Sequence, residues 1–155
     1  MTTIAYDGRT LAADRRANSS GAIRTVCKIF DCGEYVFAGT GVADESELIA
    51  GYIRKGFSLA AAKELDFSDE NSYGIVVRKA DGKCFCISGK HLTLVPILDE
   101  QFAMGSGRDF ALSAMAFGKT AKEGVEFAMR FDAATGNGVD CYEFKFDDWE
   151  DEKTT

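Results

Sequence analysis

The sequence has little of what several common binding sites require. Its 155 residues include one histidine, one proline and five cysteines, and no pair of CxxC units is present. Zinc sites are built from clusters of histidine and cysteine, so a zinc site has no support and no cofactor is expected. We interpret the cysteines as small, mostly buried residues of a protein in a reducing cytoplasm.

Long apolar runs and an excess of positive charge are also missing. No stretch approaches membrane-spanning length, and charged residues interrupt the N-terminus, so we expect neither a membrane span nor a signal peptide. The formal net charge of −7 disfavours binding to nucleic acid or to an anionic membrane. Hydrophobic residues make up 46% and charged residues 28% of the chain, which is typical of a globular protein. We expect residues 1–155 to form one domain, with a frayed acidic tail at 147–155.

Turn signals and strand-like residues predict that the chain opens with a β-hairpin. A two-residue turn at Gly8–Arg9 would place Asp14 opposite Thr3, next to Thr2. A turn at Asp7–Gly8 would instead shift the register by one position.

The remaining pattern predicts further hairpins interleaved with helices. Capping-box spacing starts one helix near Asp44 and another at Thr120, and Ser106 is a candidate cap for a third. Only a short second helix fits between Gly56 and Ser72. Antiparallel hairpins with paired helices indicate an α+β fold, a four-layer αββα sandwich of two antiparallel sheets between two helical layers.

Thr2 lies one residue from the start of the chain. Methionine aminopeptidases accept a small residue at position 2, so we expect removal of Met1 to leave Thr2 as the first residue. Such a threonine carries a hydroxyl nucleophile and an α-amine with a pKa of about 8 that can accept the hydroxyl proton. Many proteins begin Met-Thr for no catalytic reason, and this alternative stays open from the first residues alone.

Four other polar spots stand where apolar or turn residues are usual. The run Asp14–Arg16 closes the second strand, and Lys28 lies inside the apolar strand Val26–Phe30. The run Gly105–Gly107 opens a helix, and Asp132–Gly136 closes another. Taken singly, each has a simpler explanation as a cap, a turn or a solvent-facing side chain.

Together with Thr2 and Phe37–Gly39, these segments occur in the order and approximate spacing of proteasome β subunits. From Thr2 to about Phe146, the sequence resembles a proteasome-type threonine peptidase, an N-terminal nucleophile hydrolase, including the bacterial relative that works with an unfolding ATPase. The resemblance implies a cytoplasmic homo-oligomer that cleaves peptides or unfolded proteins, with an unfolding ATPase as regulator. The short second helix departs from the family, which normally has a long helix there for subunit or partner contacts.

The resemblance also implies a role for individual residues. Thr2 matches the nucleophile, Lys28 the lysine that lowers the effective pKa of its hydroxyl or relays its proton, and Asp14 the carboxylate that pairs with that lysine. Gly39 matches the glycine whose N–H stabilises the tetrahedral oxyanion. Independently of the family, a lysine in an apolar strand is costly to bury unless an acid pairs with it.

The remaining matched positions concern support of the nucleophile and substrate selection. Ser106 and Asp132 match the pair that positions the terminal amine, Thr135 stands where the family usually has serine, and Arg16 matches a structural arginine beside the site. The first specificity pocket is matched by apolar residues, from which we expect cleavage after small or medium apolar side chains: Ala17, Val26, Phe30 and Phe37.

Two alternatives to the peptidase remain. The chain could be a catalytically silent proteasome-like assembly subunit, although a scaffold has no physical need for a buried lysine–aspartate pair. It could also hydrolyse amide bonds of small molecules on the same fold, although the resemblance is to the protease branch.

Overall fold

The computed structural model describes residues 2–63, 65 and 72–146, and Thr2 leads directly into its first sheet. This four-stranded sheet is antiparallel, with the strand order β10-β1-β2-β11. Strand β1 therefore lies between two neighbours, and the segment after Thr2 is held by backbone pairing on both sides. The strands are β1 (Thr3–Tyr6), β2 (Thr10–Asp14), β10 (Phe102–Gly105) and β11 (Val139–Glu143).

A second antiparallel sheet contains five strands in the order β5-β6-β7-β8-β9. A separate hairpin, β3-β4, follows β2 and precedes the five-stranded sheet in the sequence, and no turn signal predicted it. Its turn contains Ser20 and Gly21 with φ of 52° and 82°, as a tight hairpin turn requires. The strands are β3 (Arg16–Ser19), β4 (Ala22–Thr25), β5 (Ile29–Asp31), β6 (Tyr35–Thr40), β7 (Tyr73–Arg78), β8 (Cys84–Ser88) and β9 (Val95–Ile97).

The described residues also contain four helices: α1 (Ala43–Arg54), α2 (Leu59–Lys63), α3 (Arg108–Ala116) and α4 (Ala121–Met129). The predicted short second helix is thus present as α2. None of the helices in the described ranges is long and apolar enough to cross a membrane. The acidic tail predicted at 147–155 lies outside the described residues. All five cysteines are free thiols.

Three apolar cores hold these elements together. The first joins the two sheets, the second joins the five-stranded sheet to α1, and the third joins the four-stranded sheet to α3 and α4. Alternate residues of one strand serve different cores: Ile4 points into the first and Ala5 into the third, while Val36 and Phe37 divide between the first and second. Both sheets are therefore buried on both faces, and the predicted α+β class with antiparallel sheets is confirmed.

The opening hairpin has the register predicted from a Gly8–Arg9 turn. Ile4 pairs with Ala13 and Tyr6 with Leu11, and the Asp7 N–H donates to the Thr10 carbonyl at 3.3 Å. Gly8 has a φ of 91°, which favours glycine there. Continuing this register places Asp14 beside Thr3, at the start of β1.

All three helices begin close to their predicted positions, but of the three predicted side-chain caps one is confirmed and two are wrong. Thr120 and Glu123 form the reciprocal capping box of α4, with side-chain to backbone distances of 3.2 and 3.1 Å. Helix α1 begins before Asp44, with Val42 as its N-cap and no side-chain cap. Helix α3 likewise has no side-chain cap, because the Ser106 hydroxyl binds elsewhere.

Gly39 allows α1 to pack closely against β6. A Cβ at Gly39 would contact the Ser46 hydroxyl, lie 2.8 Å from the Ser46 Cβ and lie 3.1 Å from the Phe37 ring. Ser46 itself is buried, so the space is already filled. The absence of a side chain at Gly39 thus sets the distance between the helix and the strand.

We predict that Gly39→Ala lowers the free energy of unfolding by about 1–3 kcal/mol, as overpacking of a filled core does. Ser46→Gly in the same chain should restore part of the loss, because it removes the atoms that the new methyl would meet. Urea unfolding measures both variants.

The matched control is Gly51→Ala on α1, where an added Cβ meets nothing within 4 Å. It should be neutral or stabilising by up to ~1 kcal/mol, since alanine favours a helix over glycine. A Gly39→Ala chain as stable as wild type would contradict this account of the packing.

Candidate active site

Asp14, at the end of β2, accepts hydrogen bonds at both carboxylate oxygens. Oδ1 accepts from the Thr3 N–H at 3.0 Å and from Lys28 Nζ at 2.9 Å. Oδ2 accepts from the N–H groups of Arg16 at 3.2 Å and Gly136 at 3.1 Å. Because the carboxylate is fully buried, these bonds replace the water that it lost on folding. One side chain thereby joins β1, β3, the Lys28 segment and the loop after α4.

Lys28 lies just before β5 and is only 7% exposed. Burial lowers the pKa of its ammonium below the usual range, although the charge and hydrogen bond of Asp14 act in the opposite direction, and Arg16 adds to the lowering. A lysine with a lowered pKa releases its proton at a pH closer to neutral. The pair is therefore suited to accept and return a proton.

Thr2 is buried and is held by its backbone. Its carbonyl accepts from the Ser106 N–H at 2.8 Å. Gly105, with a φ of 95°, makes this approach possible, because a Cβ there would collide with the Thr2 carbonyl. The backbone of Thr2 is therefore fixed against the segment that precedes α3.

A cluster of hydroxyls surrounds the Asp132 carboxylate and includes the Thr3 side chain. Ser106 Oγ and Thr135 Oγ1 each donate to Asp132 Oδ2 at 2.5 Å, and the Thr135 and Thr3 hydroxyl oxygens are 2.6 Å apart. Burial alone would raise the pKa of the Asp132 carboxyl. The two hydroxyls and the Ala134 N–H nevertheless hold that pKa below its usual range.

Arg16 fixes the loop that carries Thr135. Its Nη1 donates to the Ala133 carbonyl at 2.7 Å and its Nε donates to Asn137 Oδ1 at 3.1 Å. A Cβ on Gly136 would lie 2.5 Å from the Arg16 guanidinium, so a side chain there would displace the guanidinium from its present position. The structural position expected for Arg16 agrees with these contacts.

A cavity of about 810 Å³ opens beside Thr2 and Lys28. Ala17, Val26 and Phe30 contribute apolar surface to its wall. Phe37, the fourth expected pocket residue, does not line the cavity. It is fully buried and its ring stacks on Phe30 with 5.9 Å between the centroids, so it supports the wall from behind.

The hydrogen bonding of Gly39 does not fit the oxyanion role predicted for it. Gly39 lines the cavity, but its N–H donates to the Lys28 carbonyl at 3.0 Å and is occupied by strand pairing. Two residues further, Gly41 lines the same cavity with a φ of 99°. In the described part of the chain, no hydrogen-bond partner is seen for the Gly41 N–H.

The structure thus brings most of the predicted residues to one place. Thr2, Lys28 and Gly39 share the cavity, Asp14 lies behind Lys28, and the predicted residues Ser106, Asp132 and Thr135 form the hydroxyl cluster. Two residues of the site were missed by sequence reasoning, Thr3 and Gly41. The predicted hairpin register could have identified Thr3, because it already placed Thr3 opposite Asp14. Over the described ranges, no three His, Cys, Asp or Glu side chains are grouped to hold a metal ion.

Comparison with known proteins gives matches only at the level of three-dimensional structure. No family model and no curated protein matches this chain. Thiobacillus denitrificans BPH in complex with epoxomicin is similar, with a TM-score of 0.68, 23% identity and coverage of 93% of this chain and 98% of that one. A second structure of the Thiobacillus protein is similar with a TM-score of 0.67 and 22% identity, and the coverage of both chains is the same.

Eukaryotic HslV from Trypanosoma brucei is similar too, with a TM-score of 0.65, 18% identity and coverage of 93% of this chain and 98% of that chain. The chain therefore has the fold of these HslV-like, proteasome-like peptidases, as the sequence resemblance predicted. At such identities the likeness concerns the fold.

We predict that Asp14→Asn destabilises the protein more than Lys28→Met. The asparagine amide has one oxygen and therefore cannot accept hydrogen bonds at both the Oδ1 and the Oδ2 position, and it leaves the Lys28 charge buried without its counter-ion, which costs about 3–5 kcal/mol. Lys28→Met leaves Asp14 with its three backbone donors and should cost only about 1–3 kcal/mol. Urea unfolding at neutral pH compares the two.

Lys79→Met serves as the control, because Lys79 forms a more exposed ion pair with Asp31 at 2.8 Å. Its loss should cost less than about 1 kcal/mol. If Lys28→Met were as costly as Asp14→Asn, Asp14 would not be the centre of this network.

The lowered pKa of Asp132 predicts a specific pH dependence of stability. A carboxyl with a depressed folded-state pKa stabilises the fold above its unfolded pKa of about 4, and this contribution is lost as pH falls through the lower folded value. Wild type should therefore lose stability more steeply than Asp132→Asn below about pH 4. Urea midpoints measured in steps from pH 6 to pH 2 give both curves.

Asp109→Asn, which removes an exposed carboxylate at the start of α3, is the matched control and should follow wild type. Parallel curves for wild type and Asp132→Asn would show that the hydroxyl cluster does not stabilise the ionised carboxylate.

Proposed function

We propose that this chain is a threonine-type endopeptidase in which Thr2, as the first residue of the mature chain, attacks peptide carbonyls. The observation that carries the proposal is the meeting of Thr2 with the buried Lys28–Asp14 pair at one cavity. A lysine with only a structural role would avoid the desolvation free energy by lying at the surface. A proton relay, in contrast, needs a lysine that is buried, paired and next to the nucleophile.

In the proposed first step, Thr2 Oγ forms a bond to the substrate carbonyl carbon. The hydroxyl proton passes to the α-amine of Thr2, directly or through a water, with Lys28 lowering the effective pKa of the hydroxyl or relaying the proton. Collapse of the tetrahedral oxyanion breaks the C–N bond, and the leaving amine takes up the proton. The product is an ester between Thr2 and the acyl part of the substrate, which water then hydrolyses.

The oxyanion formed in both steps needs a hydrogen-bond donor. We assign it to the N–H of Gly41 rather than that of Gly39, because the Gly39 N–H already donates to the Lys28 carbonyl. A backbone donor of this kind contributes about 3 kcal/mol to the stability of the transition state. Ser106, Asp132 and Thr135 are then left to position the segment that carries the terminal amine and the nucleophile.

The apolar wall of the cavity fits a side chain of small or medium size. Ala17, Val26 and Phe30 supply that wall, and the buried Phe37 limits its depth. We therefore propose cleavage after small or medium apolar residues of peptides or unfolded proteins.

We further propose that the enzyme is one domain and works as a cytoplasmic homo-oligomer, regulated by an unfolding ATPase. The three apolar cores support the four-layer arrangement expected from the sequence, with α1 outside one sheet and α3 and α4 outside the other. The similar Thiobacillus denitrificans protein is known in complex with epoxomicin, which supports the proposal that this fold carries a ligand-binding site.

The test is hydrolysis of fluorogenic peptides with apolar, acidic or basic residues before the scissile bond. We predict turnover only after Met1 is removed, as established by intact mass, and a loss of about 10³-fold or more in Thr2→Ala. Thr2→Ser should retain activity, since it keeps both hydroxyl and amine. Thr93→Ala, at an exposed site, should match wild type.

Activity that is unchanged in Thr2→Ala would contradict the proposed nucleophile. No turnover from a chain that begins at Thr2, in any oligomeric state, would favour the silent assembly subunit.

A further inference from the structure

We propose that Thr3 is a positioning residue that fixes the nucleophile relative to the two carboxylates of the site, the buried Asp14 and the partly buried Asp132. The inference rests on the proposed function and adds a residue to which no role has been given. Its basis is that Thr3 is the only described residue whose own hydrogen bonds reach Asp14 directly and Asp132 through a single hydroxyl.

On one side, the Thr3 backbone is attached to the lysine pair. Its N–H donates to Asp14 Oδ1 at 3.0 Å, and the same oxygen accepts from Lys28 Nζ at 2.9 Å. The peptide nitrogen that follows Thr2 is thus bonded to the same atom as the lysine that serves the Thr2 hydroxyl. Any shift of β1 would change the distance from the nucleophile to Lys28.

On the other side, the Thr3 hydroxyl is attached to the hydroxyl cluster. An ionised carboxylate only accepts hydrogen bonds, so the single proton of Thr135 Oγ1 is used on Asp132 Oδ2, at 2.5 Å. Thr3 Oγ1 is therefore the donor in its 2.6 Å contact with Thr135 Oγ1. The chain runs Thr3 to Thr135 to Asp132, and each donor has one acceptor.

The surroundings leave the Thr3 hydroxyl little freedom. Thr3 is fully buried and Thr135 is 2% exposed, so water does not compete for this contact. Gly107 borders the hydroxyl, and a Cβ there would collide with Thr3 Oγ1 and lie 3.2 Å from Thr135 Oγ1. The missing side chain at Gly107 provides the space in which the threonine hydroxyl makes its bond.

This arrangement predicts a defect in kcat rather than in substrate binding. Thr3 does not line the cavity, so its loss should leave KM within about twofold while kcat falls, because only the alignment of reacting groups is affected. We expect Thr3→Val to lower kcat by about tenfold or more, since the loss of one hydrogen bond corresponds to roughly that factor in rate. Thr3→Ser, which keeps the hydroxyl, should recover most of the rate.

The experiment measures kcat and KM on the best fluorogenic peptide for chains whose first residue is Thr2. Thr10→Val, the same change at the far end of the opening hairpin, is the matched control and should behave as wild type. Circular dichroism and urea midpoints establish that each variant is folded. If Thr3→Val does not fold, Gly107→Ala takes its place, because its methyl displaces the hydroxyl without removing it.

A folded Thr3→Val or Gly107→Ala with wild-type kcat would overturn the inference and leave the proposed function standing. A rise in KM with unchanged kcat would also overturn it, and so would an equal fall in kcat in Thr3→Val and Thr3→Ser. A wild-type chain without any turnover would contradict the proposed function itself, and the inference with it.

Discussion

The buried ion pair between Lys28 and Asp14 is the interaction on which the rest of this site depends. Two charges removed from water are tolerated only when their geometry is good and their remaining hydrogen-bonding groups are satisfied. Asp14 meets this requirement with three backbone N–H groups in addition to the lysine. The elements that supply those groups are therefore held in fixed positions, and Thr2 lies at the point where they meet.

Close backbone approaches make this convergence possible. Gly105 admits the Thr2 carbonyl, Gly107 admits the Thr3 hydroxyl and Gly136 admits the Arg16 guanidinium. A methyl group would collide with the partner atoms in the first two contacts and displace the guanidinium in the third, so three glycines that look like ordinary turn residues in the sequence shape the site. The same reasoning explains why α1 packs so near the cavity, since Gly39 leaves its space to Ser46.

The sequence predicted the parts of the structure that local rules govern. The observed hairpin register is one of the two that the sequence left open, the one with a Gly8–Arg9 turn, and Thr120 with Glu123 formed the expected capping box. Local rules failed where a tertiary contact competes. Ser106 has the position of a helix cap, but its hydroxyl binds Asp132, which is 26 residues away.

The misassigned site residues have the same cause. The Gly39 motif matches the family pattern, but which N–H of that strand is occupied depends on its pairing with Lys28, and a motif does not contain this information. Phe37 was expected in the pocket, whereas strand alternation turns it into the core behind Phe30. Residue types were therefore predictable from the sequence, and the hydrogen-bonding state and facing of single positions were not.

The most direct measurement is covalent capture with a peptide epoxyketone, followed by mass mapping of the modified residue. This reagent forms a stable ring only with a hydroxyl and an α-amine on one residue, so it reports the central claim that Thr2 is a terminal, activated nucleophile. The account predicts one adduct per chain, located at Thr2 and strongly diminished in Lys28→Met. A chain that begins at Thr2 and gives no adduct, or an adduct at another residue, would contradict it.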